Sequence, residues 1–231
     1  MPVGKLFPPG VGFAVADAAG FSAELYPVEA ACIARAVPKR RSEFAAGRAC
    51  ARRAMIEIGG SAQALPAGSD RAPVWPDGIV GSISHCDGMC AAVAARRGDG
   101  FAALGLDIEP RLELDSDLLD IVCSEREMAW LSALPKRDSG VMARAMFCAK
   151  EAVFKAQYPL SRALIDFHAV TVDIDMPRGE FLATFIAEVH PFHVGDRLSG
   201  RLHMDGNFIF AGLAIRGDSS SAARSELALC A

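Results

Sequence analysis

An α+β fold is predicted by the sequence, because strand-like and helix-like patterns occur in separate runs along the chain rather than in regular alternation. Three short apolar segments bounded by turn residues predict a meander of strands, at residues 79–85, 89–95 and 101–109. Three helical patterns follow, at residues 115–122, 124–133 and 140–157. Four more strand patterns complete the series, near residues 167–175, 180–189, 199–204 and 207–216.

An internal similarity suggests that the chain contains two related α+β halves. The segments FAALGLDIE at residues 101–109 and FIFAGLAIR at residues 208–216 carry Phe, Gly, Leu and Ile at matching places. The second copy lacks the acids that the first copy has at Asp107 and Glu109. We expect three parts of the chain: an N-terminal half at residues 1–110, a C-terminal half at residues 111–217, and a mobile tail at residues 218–231.

The part of the chain before the meander is expected to hold one strand, a short helical segment and a long helix. Residues 11–17 have the composition of a strand, and residues 27–37 form a short apolar-periodic segment that ends at a proline. Residues 40–58 are rich in Ala, Arg and Met and predict a helix that a pair of glycines stops. Residues 61–78 are dense in Gly, Pro, Ser and Asp and predict a loop.

Length and composition bound the possible functions. The 231 residues suit one large or two small domains, and a hydrophobic fraction of 52% provides for a sizeable core. The net charge of −4 gives no reason to expect nucleic acid or a membrane surface as a partner, and we expect no membrane span. The seven scattered cysteines contain no C-x-x-C pair, which predicts reduced thiols in a cytoplasmic protein. The N-terminus does not resemble a signal peptide, and we expect a monomer.

Two acids in the third strand of the meander are the most informative residues. Asp107 and Glu109 lie two apart, and since side chains alternate along a strand, they share one face. Leu106 and Ile108 then face the core. Two neighbouring carboxylates repel each other unless a cation or a proton lies between them. Hard oxygen ligands suit Mg²⁺, which completes its shell with water and substrate phosphates. A solvated pair of acids on a strand edge is the alternative.

A basic stripe is predicted on the helix at residues 40–58. Arg41, Arg48 and Arg52 fall within about 40° of one another at roughly 100° per residue. Arg40 lies off to one side. Guanidinium groups match phosphate oxygens in a bidentate manner, so the stripe predicts a phosphate-binding face. A solvated basic face or a set of long-range salt bridges would explain the same pattern.

Two further motifs carry candidate site residues. His85 ends a predicted strand in GSISHCDG, just before an Asp-Gly turn, where a histidine can donate to a phosphate or bond to the turn backbone. Glu151 and Lys155 lie four apart on a helix in FCAKEAVFKA. They form either an ordinary surface ion pair or, against apolar packing, a site in which Glu151 acts as a ligand or a general base. The absence of G-x-S-x-G argues against a serine hydrolase.

The order of these motifs resembles one family. An arginine helix with GRACAR is followed by WPDG, GSISHCDG, GLDIEP and finally FCAKEAVFKA. Over residues 38–175 this ordered set is similar to the 4′-phosphopantetheinyl transferases of the surfactin-synthetase-activating type. Within them it looks most like the enterobactin-synthase component D and mycobacterial subgroup. The resemblance implies a pseudo-dimer of two α+β halves with coenzyme A in the cleft between them.

A reaction, a cofactor and a partner are also implied by the resemblance. The 4′-phosphopantetheine moiety of coenzyme A is transferred to a serine of an acyl or peptidyl carrier protein, which passes from the apo to the holo form, and 3′,5′-ADP leaves. The carrier would serve fatty-acid, polyketide, siderophore or other nonribosomal peptide synthesis. The implied cofactor is Mg²⁺, with Mn²⁺ as a substitute.

The family's functional residues can be carried over by position. The implied metal ligands are Asp107, Glu109 and Glu151. The implied catalytic residues are Glu151 as the base, Asp107 and Lys155. The residues implied to bind the coenzyme are Arg48, Arg52, Arg71, Ser84, His85, Asp107, Lys150, Lys155 and one of Arg40 and Arg41. The family pattern fits either arginine of that pair, while helical phase favours Arg41. The match around Arg71 is loose, because Ala67 and Asp70 replace lysines that are frequent in the family.

Two other functions stay open at this point. A Mg²⁺-dependent phosphohydrolase would use the same acids but attack with water, and the arginine helix argues against it. A non-catalytic coenzyme A-binding or nucleotide-binding module would keep the arginines and His85, but it would have little need for three acids.

Overall fold

The computed structural model describes residues 5–17, 24–86 and 88–217, and the predicted tail lies outside them. Within these ranges the chain is a mixed α/β protein with two antiparallel sheets and five α-helices. The helices are α1 (Pro27–Cys32), α2 (Pro38–Glu57), α3 (Ser116–Val122), α4 (Glu125–Ser132) and α5 (Lys136–Ser161). No helix in the described ranges has an apolar stretch long enough to cross a membrane.

The first sheet is formed by the first predicted strand and the first two strands of the predicted meander, whereas the third strand of the meander belongs to the second sheet. The members of the first sheet are β1 (Gly12–Asp17), β2 (Ile79–Cys86) and β3 (Met89–Arg96), in the order β1–β3–β2. The helix α2 lies against this sheet through small side chains, among which Ala46, Cys50 and Ala54 are fully buried. Small residues let the helix approach closely, so that its arginines lie beside the end of β2.

The second sheet has five strands. They are β4 (Phe101–Pro110), β5 (Val170–Asp175), β6 (Glu180–Phe185), β7 (Arg197–Met204) and β8 (Phe208–Arg216), in the order β4–β8–β7–β6–β5. The two segments with similar sequences, β4 and β8, are antiparallel neighbours, with Leu106 opposite Gly212. The strand β4 therefore pairs with the later strands, and the division of the chain at residue 110 stays a prediction.

Most predicted elements are present, with shifts at their ends that have local causes. The helix α2 starts at Pro38, two residues earlier than expected, because proline suits the first turn of a helix, where its missing N–H has no partner to lose. The helix α5 is longer than expected and contains Pro159 in its last turn. A 3₁₀ turn at Phe167–Ala169 delays the start of β5.

Three apolar clusters hold these layers together. The largest lies between α5 and one face of the five-stranded sheet. A second lies between β4 and the three-stranded sheet and includes Leu106 and Ile108, as the alternation in β4 predicts. The third lies under α2. Because β4 is buried on one face against the first sheet and on the other against α5, its polar side chains lie where the two sheets and α5 meet.

Candidate active site

The site is centred on Asp107, which lies on the face of β4 that is covered by α5. Asp107 is 3% exposed, so it is not part of a solvated strand edge. Two residues earlier, a Cβ atom on Gly105 would lie 1.9 Å from the carbonyl oxygen of Ala152. Only glycine allows the helix to lie this close to the strand. The close approach places the next turn of α5 over Asp107.

Ser84 joins the first sheet to Asp107. Its hydroxyl donates to Oδ1 of Asp107 at 2.8 Å and accepts from the backbone N–H of Ile108 at 3.3 Å and from Nζ of Lys155 at 3.0 Å. One donor and two acceptor positions are thus all used. Ser82 likewise accepts from the N–H of Leu106 at 3.1 Å. The serines of the GSISH segment therefore connect β2 to β4 through side chains, where the two sheets meet.

Lys155 forms its ion pair across the layers. Its Nζ lies 2.6 Å from Oδ1 of Asp107, so this salt bridge runs from α5 to β4. Burial tends to lower the pKa of Lys155, but the charge and hydrogen bond of Asp107, together with the charge of Glu151, raise the pKa above its ordinary value. The ammonium therefore stays charged, and about a quarter of the side chain (26%) is exposed.

The other two acids have raised pKa values. Burial, followed by the charge of Asp107, raises the pKa of Glu109 to about 7, against the opposing charge of Arg144. Burial raises the pKa of Glu151 as well; Lys155 opposes this shift, and Asp107 adds to it. Glu109 and Glu151, whose pKa values are raised by burial and by the charge of Asp107, form with Asp107 a set of hard oxygen donors that favours a cation.

The fit of a metal ion can be tested on Asp107 itself. Its Oδ2 atom is buried and has no hydrogen-bond partner in the described structure, whereas Oδ1 has two. A buried carboxylate oxygen normally has a partner. Across residues 5–17, 24–86 and 88–217, however, no three His, Cys, Asp or Glu side chains converge closely enough to form a metal site. The carboxylate donors and the unpaired Oδ2 of Asp107 fit Mg²⁺. Lys155 bonds to Oδ1 of Asp107 and Arg144 bonds to Oε2 of Glu109.

His85 lies beside the acids at the end of β2, as predicted. Nη1 of Arg40 donates to Nε2 of His85 at 2.7 Å, so the ring proton lies on Nδ1, which faces Glu43 at 3.9 Å. Burial lowers the pKa of His85; the charges of Arg40 and Lys155 lower it further, and Glu43 opposes them. The imidazole is therefore neutral beside two cations, Arg40 and Lys155.

Arg40, not Arg41, lies next to His85. Arg41, which helical phase favoured, instead donates to the backbone carbonyl oxygens of Ala34 and Ala36, in the link between α1 and α2. Carbonyl groups in such a link have no helical partner, and the guanidinium supplies their donors. Helical phase alone does not record this contact.

The other two arginines of the stripe, Arg48 and Arg52, have different partners. Nε of Arg48 donates to the carbonyl of Leu65 at 2.6 Å, and burial lowers the pKa of this guanidinium to about 10, which keeps it charged at neutral pH. Arg52 forms a salt bridge at 2.9 Å with Glu29, a carboxylate with no exposed surface. Arg48 is therefore a buried cation held by a backbone carbonyl, whereas Arg52 holds α1 against α2.

Lys150 is not brought to the acid cluster. Its Nζ donates to Oε2 of Glu127 at 2.8 Å and to the carbonyl oxygens of Val122 and Phe167 at 2.7 Å and 2.9 Å. All three ammonium hydrogens are thereby used, and the side chain is 1% exposed. Because neighbouring helical residues point about 100° apart, Lys150 faces the core while Glu151 lies on the side of Lys155 and Asp107. The expectation that Lys150 holds a coenzyme phosphate receives no support from this position.

Arg144 is a site residue that the sequence reasoning missed. Its Nη1 donates to Oε2 of Glu109 at 3.0 Å, and its Nη2 donates to the carbonyl of Glu113 at 3.0 Å. Arg144 precedes Glu151 by seven residues, two helical turns, so the two lie on one face of α5. That spacing was the available signal. Arg71, the last predicted coenzyme-binding residue, is exposed in the loop between α2 and β2.

Comparisons with known proteins agree with this geometry. A family model described as the 4′-phosphopantetheinyl transferase N-terminal domain matches residues 28–95. A second model, of the 4′-phosphopantetheinyl transferase superfamily, matches residues 103–203 and includes β4 and α5. The two models together cover the arginine helix, the GSISH segment and all three acids.

Three curated relatives show the same similarity. The 4′-phosphopantetheinyl transferase Svp of Streptomyces mobaraensis is 44% identical over 177 residues, 76% of this chain and 71% of the relative. Npt of Nocardia iowensis is 36% identical over 191 residues, 80% of this chain and 84% of the relative. PptT of Mycobacterium tuberculosis is 35% identical over 165 residues, 71% of each.

The fold and the site thus define a transferase with an acidic centre between two sheets. The chain belongs to the 4′-phosphopantetheinyl transferase superfamily, which confirms the resemblance in its motifs. It is an enzyme that transfers phosphopantetheine to carrier proteins.

Proposed function

We propose that this enzyme transfers the 4′-phosphopantetheine of coenzyme A to a serine of an acyl or peptidyl carrier protein at the Asp107 cluster. The observation that carries the proposal is the convergence of β2, β4 and α5 on Asp107, through Ser84 and Lys155, at the junction of the two halves. A pseudo-dimer with its active site in this junction is supported by the antiparallel pairing of the two similar strands β4 and β8.

One bond forms and one bond breaks at the phosphorus during the transfer. The carrier's serine oxygen forms a bond to the phosphorus of the 4′-phosphopantetheine group. The bond between that phosphorus and the bridging oxygen of the pyrophosphate breaks, and the oxygen leaves with 3′,5′-ADP. The serine proton passes to a general base. Attack and departure proceed roughly in line at the phosphorus.

Positive groups around the cluster would hold the coenzyme. Lys155 lies on Asp107, His85 offers a neutral imidazole between Lys155 and Arg40, and Arg48 is a further cation on the same helix as Arg40. Charge-assisted hydrogen bonds to phosphate are among the stronger ones in proteins. Lys155 is the cation bonded directly to Asp107, which suits it to the transferring phosphate.

The acids would hold Mg²⁺ and supply the base. Asp107, Glu109 and Glu151 are the ligands that the donor chemistry favours, and Mn²⁺ has similar oxygen preferences. A bound Mg²⁺ would offset the negative charge on the pyrophosphate oxygens. The pKa values of Glu109 and Glu151 are both raised toward the working pH, and Glu151 is the candidate for the base because Arg144 already holds the carboxylate of Glu109.

Mass spectrometry of a carrier protein tests the proposal directly. Apo carrier is incubated with the enzyme, coenzyme A and Mg²⁺, and a mass gain of one phosphopantetheine arm is expected only when all components are present. A parallel incubation without carrier distinguishes the phosphohydrolase, because that enzyme would release 3′,5′-ADP without an acceptor. Coenzyme binding with neither product would indicate a binding module. Carriers from fatty-acid, polyketide and nonribosomal peptide systems, compared side by side, would identify the pathway.

A further inference from the structure

A small hairpin in the long loop between α2 and β2 contacts the far end of α5. The hairpin is closed by a bridge between Ala67 and Pro73 and by a hydrogen bond from the N–H of Gly68 to the carbonyl of Ala72 at 2.8 Å. Its turn contains Asp70 and the exposed Arg71. The hairpin belongs to the first half of the chain, and α5 belongs to the second.

The carboxylate of Asp70 is shared between the two halves. Oδ1 accepts from the N–H of Ala72 at 3.0 Å and so closes the turn. Oδ2 accepts from the hydroxyl of Tyr158 at 2.9 Å and lies 3.4 Å from Nη1 of Arg162, both on the C-terminal end of α5. We call Asp70, Tyr158 and Arg162 the interhalf strap. It ties the turn of the hairpin to the helix across the junction of the halves.

Backbone geometry at both ends of the strap is unusual. Among the described residues, the non-glycine residues with positive φ are Arg71, at 66°, and Arg162, at 57°. Such angles are uncommon for residues with a Cβ atom and persist where the surroundings hold them. One of these residues follows Asp70 directly and the other bonds to it. Two positive-φ residues at the two ends of one contact indicate that this contact determines the local backbone.

The strap is continuous with the catalytic face of α5. Glu151, Lys155, Tyr158 and Arg162 are spaced by three or four residues and therefore follow one face of the helix. The rings of Phe154 and Tyr158 are stacked with centroids 5.7 Å apart, which fixes the direction of the tyrosine hydroxyl. A shift of the hairpin is thereby coupled to the same helix that carries the base and the phosphate-binding lysine.

We propose that the interhalf strap holds the 66–74 hairpin one helical turn beyond Lys155, beside the coenzyme whose phosphate Lys155 would bind, with Tyr158 as a positioning residue for coenzyme binding. The inference rests on the proposed function. The turn of the hairpin carries an anion, Asp70, directly before the exposed cation Arg71. Tyr158 and Arg162 engage that anion, which keeps its charge from facing a phosphate and leaves Arg71 free to do so.

The electrostatics of the pair agree with a formed hydrogen bond. The hydroxyl of Tyr158 is the main cause that lowers the pKa of Asp70, and the same bond raises the pKa of Tyr158. The chain has two tyrosines, so the titration of Tyr158 can be followed by ultraviolet absorbance in a variant that lacks the other one. That other tyrosine, Tyr26, donates from its hydroxyl to the carbonyl of Ala62 at 3.4 Å and provides a matched control.

The test compares Tyr158→Phe with Tyr26→Phe in the full chain. Each change removes one hydroxyl and keeps the ring. We expect the KM for coenzyme A to rise at least about fivefold in Tyr158→Phe, because a hydrogen bond to a charged group is lost, with kcat within about twofold. Tyr26→Phe should leave both constants unchanged. A KM for coenzyme A that is unchanged in Tyr158→Phe would overturn the proposal.

Hydrogen exchange without coenzyme provides a readout that does not depend on transfer. The amides of Gly68, Ala72 and Val74, which donate within the hairpin, should exchange faster in Tyr158→Phe than in the wild type. Unchanged exchange together with a raised KM would overturn the positioning role and make Tyr158 a direct coenzyme contact. Because exchange is measured on the free protein, its result stands even if transfer activity is not found.

A double-mutant cycle separates the strap from unrelated effects. Asp70→Ala removes the acceptor, and the double variant Asp70→Ala with Tyr158→Phe should raise the KM no further than the larger single change. Additive effects of the two changes would show that Asp70 and Tyr158 act independently, and this result would overturn the strap.

Discussion

Lys155 and Asp107 form a salt bridge of 2.6 Å between helix α5 and strand β4, and the hydroxyl of Ser84 bonds to both of its members. Three elements of the fold therefore meet at one carboxylate oxygen. The second oxygen of Asp107 is left unpaired and buried. An active site with one oxygen fixed by protein donors and the other available to a cation is a geometry suited to a phosphate substrate.

Asp107→Asn tests this arrangement by removing the charge while keeping the shape. We expect transfer to fall by about 10²-fold or more, in the range typical of losing an electrostatic contact to the reacting group. The free energy of unfolding should fall by roughly 1.5–3 kcal/mol, since Lys155 loses its charged partner. Mass spectrometry of the carrier and thermal unfolding give the two values. The control is Asp99→Asn, at an aspartate that is exposed. Equal transfer activity of the two variants would contradict the central role of Asp107.

Arg40 and Arg41 are adjacent in sequence but have different partners, which makes them a matched pair. Arg40→Ala should weaken coenzyme A binding by about tenfold or more, since it removes a cation from the cleft beside His85. Arg41→Ala should leave affinity unchanged, because its guanidinium is bonded to carbonyl oxygens of the link between α1 and α2. Calorimetric titration with coenzyme A measures both. The opposite ranking would restore the choice that helical phase favours.

Lys150→Met distinguishes a structural lysine from a coenzyme-binding one. Removing one partner of a buried ion pair leaves Glu127 without its cation, and a loss of about 3–5 kcal/mol in unfolding free energy is expected. The fraction that remains folded should bind coenzyme A with wild-type affinity. Denaturant unfolding and calorimetry provide the two measurements. A folded variant of normal stability with weak coenzyme binding would show that Lys150 contacts the substrate after all.

The elements and the main acids could be predicted from the sequence because their signals are local. The alternation of side chains predicts that Asp107 and Glu109 lie on one face of β4 and that Leu106 and Ile108 lie on the other. The structure confirms this division of faces. Turn residues marked most strand ends, with β3 ending at Arg96 before a 3₁₀ turn and Gly100.

Contacts between distant parts of the chain could not be predicted in this way. The partner of Lys150 is Glu127, 23 residues away on a different helix, and that of Arg52 is Glu29, also 23 residues away. The pairing of Asp70 with Tyr158 spans 88 residues. Such pairs depend on how helices are packed onto sheets, and no periodicity within one segment records them. A motif could therefore suggest Lys150 as a site residue while the packing turned it inward.

Gly105→Ala tests whether the close approach of α5 to β4 builds the site. A Cβ atom at this position would lie 1.9 Å from a backbone oxygen of the helix, so the helix must move away. We expect a loss of about 1–3 kcal/mol or more in unfolding free energy, together with a larger loss of transfer than of coenzyme binding. Gly98→Ala is the control, because nothing lies within 4 Å of a Cβ atom there. Equal stability of the two variants would show that the helix adjusts without effect.

Glu151→Gln is the sharpest test of the mechanism, because it keeps the size of the side chain but removes both its negative charge and its basicity. If Glu151 only forms an ordinary helical ion pair with Lys155, the rate of transfer should change little, since such pairs stabilise a helix by a few tenths of a kcal/mol.

If Glu151 is the general base, transfer should fall by about 10²–10⁴-fold, while coenzyme A still binds through the arginines and Lys155. Single-turnover transfer to the carrier and calorimetry with coenzyme A separate the two effects. Excess Mn²⁺ could restore a lost ligand contact but not proton abstraction, so recovery by Mn²⁺ would assign Glu151 to the metal alone. Near wild-type transfer by Glu151→Gln would remove the proposed base and leave Glu109, whose raised pKa of about 7 also suits proton abstraction at neutral pH.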